Sequence, residues 1–189
     1  GVMSFQTLTP QLSLTEKLLI SGKVLARYSS ANQEKTGHFD LNIGGKRVAF
    51  LSGITVSDYD HLRMGSRNNP DYTRPEYVIT SAGRDSVVSN PDQDIQVYSG
   101  YSQINTLNKL RFRVSEGVDI SLSNHYSKLS DVPRYDRLIQ YKNGRLRYAE
   151  WYYGPQVWMM NSIRTEIRKK TLVFDAATIT LAQQNYKES

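Results

Sequence analysis

Residues 38–50 read His38-Phe39-Asp40-Leu41-Asn42-Ile43-Gly44-Gly45-Lys46-Arg47-Val48-Ala49-Phe50. From His38 to Ile43, polar and apolar side chains alternate without a fault. That is the period-2 signature of a strand with one face buried. Gly44-Gly45 then reads as a two-residue turn that tolerates positive φ. Folding about it sets Leu41 against Val48 and Phe39 against Phe50. Asp40 and Asn42 share the opposite face with Arg47 and Ala49. The pairing is chemically consistent on both sides, with the apolar set expected inward and His38 expected to face solvent.

Two more hairpins extend the pattern. Leu110, Phe112 and Val114 share one parity, as do Val118, Ile120 and Leu122. A three-residue loop, Ser115-Glu116-Gly117, pairs Val114 with Val118 and Phe112 with Ile120, and sets Arg113 opposite Asp119. Asn143-Gly144 is a strong type I′ turn signal, because both central residues need positive φ. It pairs Tyr141 with Leu146 and Ile139 with Tyr148, and faces Arg137 with Glu150. Beyond Gly154-Pro155, Val157, Met159, Ile163 and Ile167 fall on one side. Trp158, Met160, Ser162, Arg164, Glu166 and Arg168 fall on the other. Ile20 to Tyr28 reads as a further strand with Gly22 at a bend, and 171–174 and 178–181 as closing strands. Helix signals are thin: one turn at 15–20, and ambiguous stretches at 102–109 and 176–187.

These runs predict an all-β, mostly antiparallel barrel or sandwich built from hairpins, with little helix. The meander of late strands favours a barrel. The look is similar to that of lipocalin-like barrels, although the Gly-x-Trp near their start is not found. Residues 1–189 are read as one β domain, with a long polar loop at about 57–76 that suits a lid or rim. Arg84 to Gln93 reads as a second polar connection.

Composition narrows the function classes. The chain has no cysteine, which excludes disulfide scaffolds, zinc-thiolate sites and cysteine nucleophiles. No apolar run approaches the ~20 residues of a membrane helix. Gly1 is not a natural initiator, so Met3 is the native start or an export signal has been removed. Cytoplasmic and exported locations both stay open. The net charge is +6. Its surplus sits between Arg134 and Lys170, where Arg134, Arg137, Lys142, Arg145, Arg147, Arg164, Arg168, Lys169 and Lys170 face only Asp136, Glu150 and Glu166. Such a field suits acidic ligands or nucleic acid, or a solvated sheet face.

Phosphate-loop, dinucleotide, zinc-protease and nucleophile-elbow motifs are absent. The chain therefore reads as non-enzymatic, with no catalytic residues, no metal and no cofactor assigned. Asp58, Asp60 and His61 resemble a metal cluster but read more simply as a solvated turn. Glu150 and Glu166 sit among arginines and should stay ionised as pairing partners.

One stretch stands apart. Residues 147–161, Arg147 to Asn161, hold both tryptophans, three of the thirteen tyrosines and two of the four methionines. Alternation prevents all of them from being core. Tyr148, Trp151, Tyr153, Trp158 and Met160, with Arg147 and Arg164, are the candidate ligand-binding residues. Arg111, Arg113 and Arg145 are further anion contacts, and Tyr98 and Tyr101 flank Gly100 as a second aromatic cluster. The first reading is a binding protein that holds a small amphipathic or acidic ligand in an aromatic, arginine-lined pocket. The alternative is an interaction or assembly module of an envelope or particle, or a polysaccharide binder, in which a basic aromatic surface meets its partner and homo-oligomers form. Single-stranded nucleic acid, stacked on Tyr and Trp, ranks third.

Overall fold

The computed structural model describes Met3, residues 6–65 and residues 69–188. The chain is all-β and antiparallel. Seven long strands form one sheet: β1 (Leu19–Ser29), β2 (Glu34–Gly44), β3 (Val48–Tyr59), β4 (Tyr101–Ser115), β5 (Val118–Leu129), β6 (Gln156–Ile167) and β7 (Ala177–Glu188). Their order in space is their order in sequence, so the sheet is a meander. Among the described residues β1 and β7 do not pair, and the expected barrel does not close. Extensive contacts between elements are all contacts between hydrogen-bonded neighbours, and among the described residues no second layer of strands or helices is stacked on the sheet.

Period 2 was read with the correct parity but with the wrong face inward. Asp40 and Asn42 are buried, together with Ala49 and Leu51, whereas Phe39, Ile43 and Phe50 are exposed. The reason lies far along the chain. Residues 7–13 cross the face that carries Asp40 and Asn42. The Gln11 N–H donates to Asn42 Oδ1 at 2.8 Å, and Asn42 Nδ2 donates back to the Gln11 carbonyl at 3.1 Å. Arg111 Nη1 donates to the Pro10 carbonyl at 3.2 Å, and Lys109 Nζ to Thr7 Oγ1 at 2.6 Å. Pro10 and Leu12 of the strap are buried, as are Ala49 and Leu51 on the sheet face it crosses. His38 is half-buried rather than solvent-facing, bonded to Thr55 Oγ1 at 2.8 Å and Asp40 Oδ2 at 3.0 Å.

The strap also explains Gly44-Gly45. These glycines do not form the expected two-residue turn. Gly44 pairs with Ala49, which leaves a four-residue loop and shifts the register so that Ile43 meets Phe50 and Leu41 meets Ser52. A Cβ on Gly44 would stand 2.0 Å from the Gln11 carbonyl oxygen. The Gly45 carbonyl accepts from the Ser13 N–H at 2.9 Å. The pair serves close approach of the strap rather than positive φ.

The second hairpin keeps its expected core register, Phe112 with Ile120 and Arg113 with Asp119. A bulge at Val114 then brings Ser115, not Val114, opposite Val118. Gly117 has φ +79°, and a Cβ there would lie 2.4 Å from the Arg168 carbonyl oxygen. Gly117→Val should therefore cost about 2 kcal/mol from positive φ alone, with further loss from the clash. A urea-unfolding midpoint checks this.

Two long connections, 60–100 and 130–155, leave the same end of the sheet and form an end module. It holds a hairpin from Glu76–Ser81 to Arg84–Ser89, turned at Ala82 and Gly83 with φ +48° and +73°. The polar reading of 84–93 missed this strand. The expected loop at 57–76 starts late, because β3 runs to Tyr59. It contains the short strand Leu62–Arg63 and one 3-10 turn, Pro70–Tyr72. Ser66, Arg67 and Asn68 lie outside the described residues. Tyr141 pairs with Leu146 as expected, but Tyr135–Leu138 is a short helix. Arg137 therefore does not face Glu150; it lies beside Asp136 at 3.8 Å. Residues 171–174 form a turn closed by Thr171, and the last strand is one long element, Ala177–Glu188.

Candidate functional site

Gly154-Pro155 divides the aromatic stretch between two places. Tyr148, Trp151 and Tyr153 belong to the end module. Trp158, Met160 and Arg164 lie on β6. Tyr148 and Trp151 pack edge to face at 4.5 Å. Arginines cover the rings: Arg147 over Tyr148 at 4.8 Å, Arg137 over Trp151 at 5.5 Å and Arg134 over Tyr153 at 4.8 Å. Arg134 Nη1 also donates to the Tyr153 phenol oxygen at 2.5 Å, and its Nε to Asp136 at 2.7 Å. That hydrogen bond and the arginine charge hold the Asp136 carboxyl below its ordinary range. Trp151 lines a cavity of about 390 Å³ with Tyr98, Leu138, Asp131 and Glu150.

Trp158 stands elsewhere, on the strap-bearing face. Its Nε1 donates to Gln184 Oε1 at 3.1 Å, and its ring lies 6.2 Å from His125. It lines a separate cavity of about 210 Å³ with Thr7, His38, Asp40 and His125. Burial, followed by the Lys109 charge, lowers the His125 pKa. Met160 stands opposite His125 and Gln184. Arg164 is paired with Glu166 at 2.9 Å, and Arg168 with the same carboxylate at 2.6 Å. The hydrogen bond from Arg168 comes first among the causes that lower the Glu166 pKa. Arg111 and Arg113, proposed as anion contacts, are both engaged with Asp119, at 2.9 and 3.5 Å.

The basic span is divided likewise. Arg134 to Arg147 belong to the end module, while Arg168 to Lys170 follow the far end of β6. A twelve-residue strand separates them, roughly 36 Å at the usual rise. Tyr98 and Tyr101 also part company. Tyr101 stacks on Tyr59 at 4.7 Å, and Tyr98 meets Tyr77 at 5.8 Å. Asp60 accepts the backbone N–H of His61 at 2.7 Å, as in a solvated turn. Among the described residues no group of three or more His, Asp or Glu is placed to hold a metal ion, and no helix is long and apolar enough to cross a membrane.

A further feature is the sheet face opposite the strap. Directly paired residues share a face, so the register defines rows across the sheet. One row reads Ile20, Ile43, Phe50, Leu110, Leu122, Ile163, Leu181, apolar on all seven strands. The next reads Gly22, Leu41, Ser52, Asn108, Asn124, Asn161, Gln183. A third reads Val24, Phe39, Ile54, Thr106, Tyr126, Met159, Asn185. On the other flank stand Val48, Phe112, Ile120, Thr165 and Ile179. No Asp, Glu, Lys or Arg occupies any of these positions. On this face charges appear only beyond these rows, toward the end module, at Lys35, Asp58, Lys128 and Lys187, whereas on the strap face Lys23, Asp40, Lys109, Arg111, Asp119, Arg164 and Glu166 lie among the central rows.

This face is exposed. Phe50 is 41 % and Leu122 42 % accessible at the middle of the sheet, where a core side chain would be near zero. An open groove of about 580 Å³ runs along Phe50, Leu110, Leu122, Ile163 and Leu181, beside the asparagine row. Asn124 Nδ2 donates to Asn161 Oδ1 at 2.8 Å, and Ser52 Oγ to Asn108 Oδ1 at 2.8 Å. Sequence reasoning found these apolar positions but assigned them to the interior. The missing signal was the strap, which occupies the other face. In comparisons with known proteins, no family model, no curated protein and no solved structure matches this chain.

Proposed function

We propose that the chain is a non-enzymatic assembly subunit that meets another protein over the apolar face of its sheet. The surface area carries this reading. A compact monomer of 21.6 kDa exposes about 9,200 Å², whereas this chain exposes 13393 Å². The surplus is roughly 4,200 Å², and a sheet normally buries its apolar face against a second layer. Among the described residues no such layer covers the side where the apolar row lies. The partner surface is thus the apolar sheet face, rather than the basic aromatic stretch.

The ligand-pocket reading rests on the 390 Å³ cavity beside Trp151. Its carboxylates, Asp131 and Glu150, disfavour an acidic guest and leave a neutral or cationic one. For nucleic acid, the stacked arginines already occupy ring faces that bases need.

Ile163→Lys tests the assembly reading. A substitution on a surface face should stay within about 0.5 kcal/mol of the parent, while self-association, or binding of the apolar dye anilinonaphthalene sulfonate, is lost. A loss of about 2–5 kcal/mol, the cost of damaging a packed core, would show that the chain buries this face itself and would end the proposal. So would a parent that neither associates nor binds the dye.

A further inference from the structure

We infer that the partner is a second copy of this chain, packed sheet against sheet across a two-fold axis. The inference rests on the assembly reading and adds the identity of the occupant. The size of the face supports it first. Seven strands at about 4.8 Å spacing span roughly 29 Å, and the four charge-free rows, about 6.6 Å apart, span roughly 20 Å. That is about 600 Å² per copy and about 1,200 Å² in total, above the ~1,000 Å² that a specific interface needs.

The charge pattern supports it second. The chain carries a net charge of +6, so two copies repel at long range and a charged contact face would add to that. The four central rows of this face carry no charge, so they meet their symmetry mates without like-charge opposition. A heterologous partner selected by electrostatics would need charge here to read, and these rows offer none.

The chemistry of the polar row supports it third. Asn108, Asn124, Asn161 and Gln183 each carry a donor and an acceptor, so an amide row is complementary to itself. Brought against its symmetry mate, the row supplies hydrogen bonds between the sheets while the flanking apolar rows interdigitate. Two such sheets stack about 10 Å apart, as in an ordinary β-sandwich. The two-fold contact is isologous, so it closes at the dimer and leaves the strap faces outward.

Sedimentation should give twice 21.6 kDa for the parent chain. Leu122→Glu should weaken the dimer at least ~30-fold, as loss of a central contact does, with its far-UV spectrum and unfolding midpoint reporting that the chain stays folded. Thr180→Glu, on the strap face beside Arg164, should leave the mass unchanged. Association through the open edge of β7 would give the same mass but would not respond to Leu122→Glu, and that insensitivity would overturn the inference. A monomer that binds anilinonaphthalene sulfonate would also overturn it while leaving an assembly surface for a different protein. A monomer that binds no dye would remove both readings.

Discussion

Asp119→Ala should lower stability by about 3 kcal/mol, the loss expected when one partner of a buried ion pair is removed. Asp119 is buried at the end of β5, with its carboxylate between Arg111 and Arg113. Arg111 grips it twice, Nη2 at 2.9 Å and Nε at 3.3 Å. The same guanidinium holds the Pro10 carbonyl at 3.2 Å. Removing the carboxylate therefore leaves a largely buried cation uncompensated and loosens the strap anchored on it. Proteolysis between residues 7 and 18 should accelerate in the variant, and a urea titration should show the lower midpoint. An unchanged midpoint would mean that the pair only balances its own desolvation.

The same site gives a pH dependence. Burial alone raises the Asp119 pKa, but the hydrogen bond and charge of Arg111, aided by Arg113, bring it below the ordinary value. A group whose folded pKa is depressed binds more protons unfolded, so its contribution is present above the unfolded pKa, near 4. It declines as the pH falls from there through the folded pKa. The stability gap between parent and Asp119→Ala should be full at pH 6 and should shrink below about pH 4. A constant gap down to acid would assign the loss to packing.

Local rules made much of the sheet legible. Parity was read correctly over Phe39–Ile43, Leu110–Phe112 and Val157–Ile167, because side-chain direction follows from the backbone alone. The pairs Phe112–Ile120, Arg113–Asp119 and Tyr141–Leu146 were readable because turn chemistry constrains a register over a few residues. What covers each face was not readable. Alternation divides residues into two sets and does not say which is inside. Here seven residues of strap decide it, through bonds such as Gln11 to Asn42 that span 31 positions. Leu41 and Phe39 looked like core because the rule assumes that apolar means inward. That rule fails here because no layer of the described residues covers the apolar face. The end module resisted reading for another reason: its strands are two to six residues long, and its order comes from side chains such as Arg74 that no periodicity marks.

In that module, Arg74→Ala should cost about 3 kcal/mol, from hydrogen bonds to a charged donor and lost ring contacts. Arg74 is 2 % exposed, yet among the described residues no carboxylate pairs with it. Burial lowers its pKa, but an arginine stays charged at any ordinary pH. Its solvation comes from the chain. Nη1 donates to the Val97 carbonyl and Nε to the Glu76 carbonyl at 3.4 Å. The guanidinium also lies 5.8 Å from the Tyr98 ring centre and 5.1 Å from that of Tyr135. One side chain thus joins the 60–100 connection to the 130–155 connection. Arg74→Lys should fare little better, because an ammonium lacks the plane that stacks and the fork that reaches two carbonyls. The damage should stay local, since the strap and the seven strands make none of these contacts. Hydrogen exchange should speed up at 72–98 and 132–152 in the variant, while β3, β4 and β5 keep their protection. If the long strands lost protection to the same degree, the end module and the sheet would be one cooperative unit.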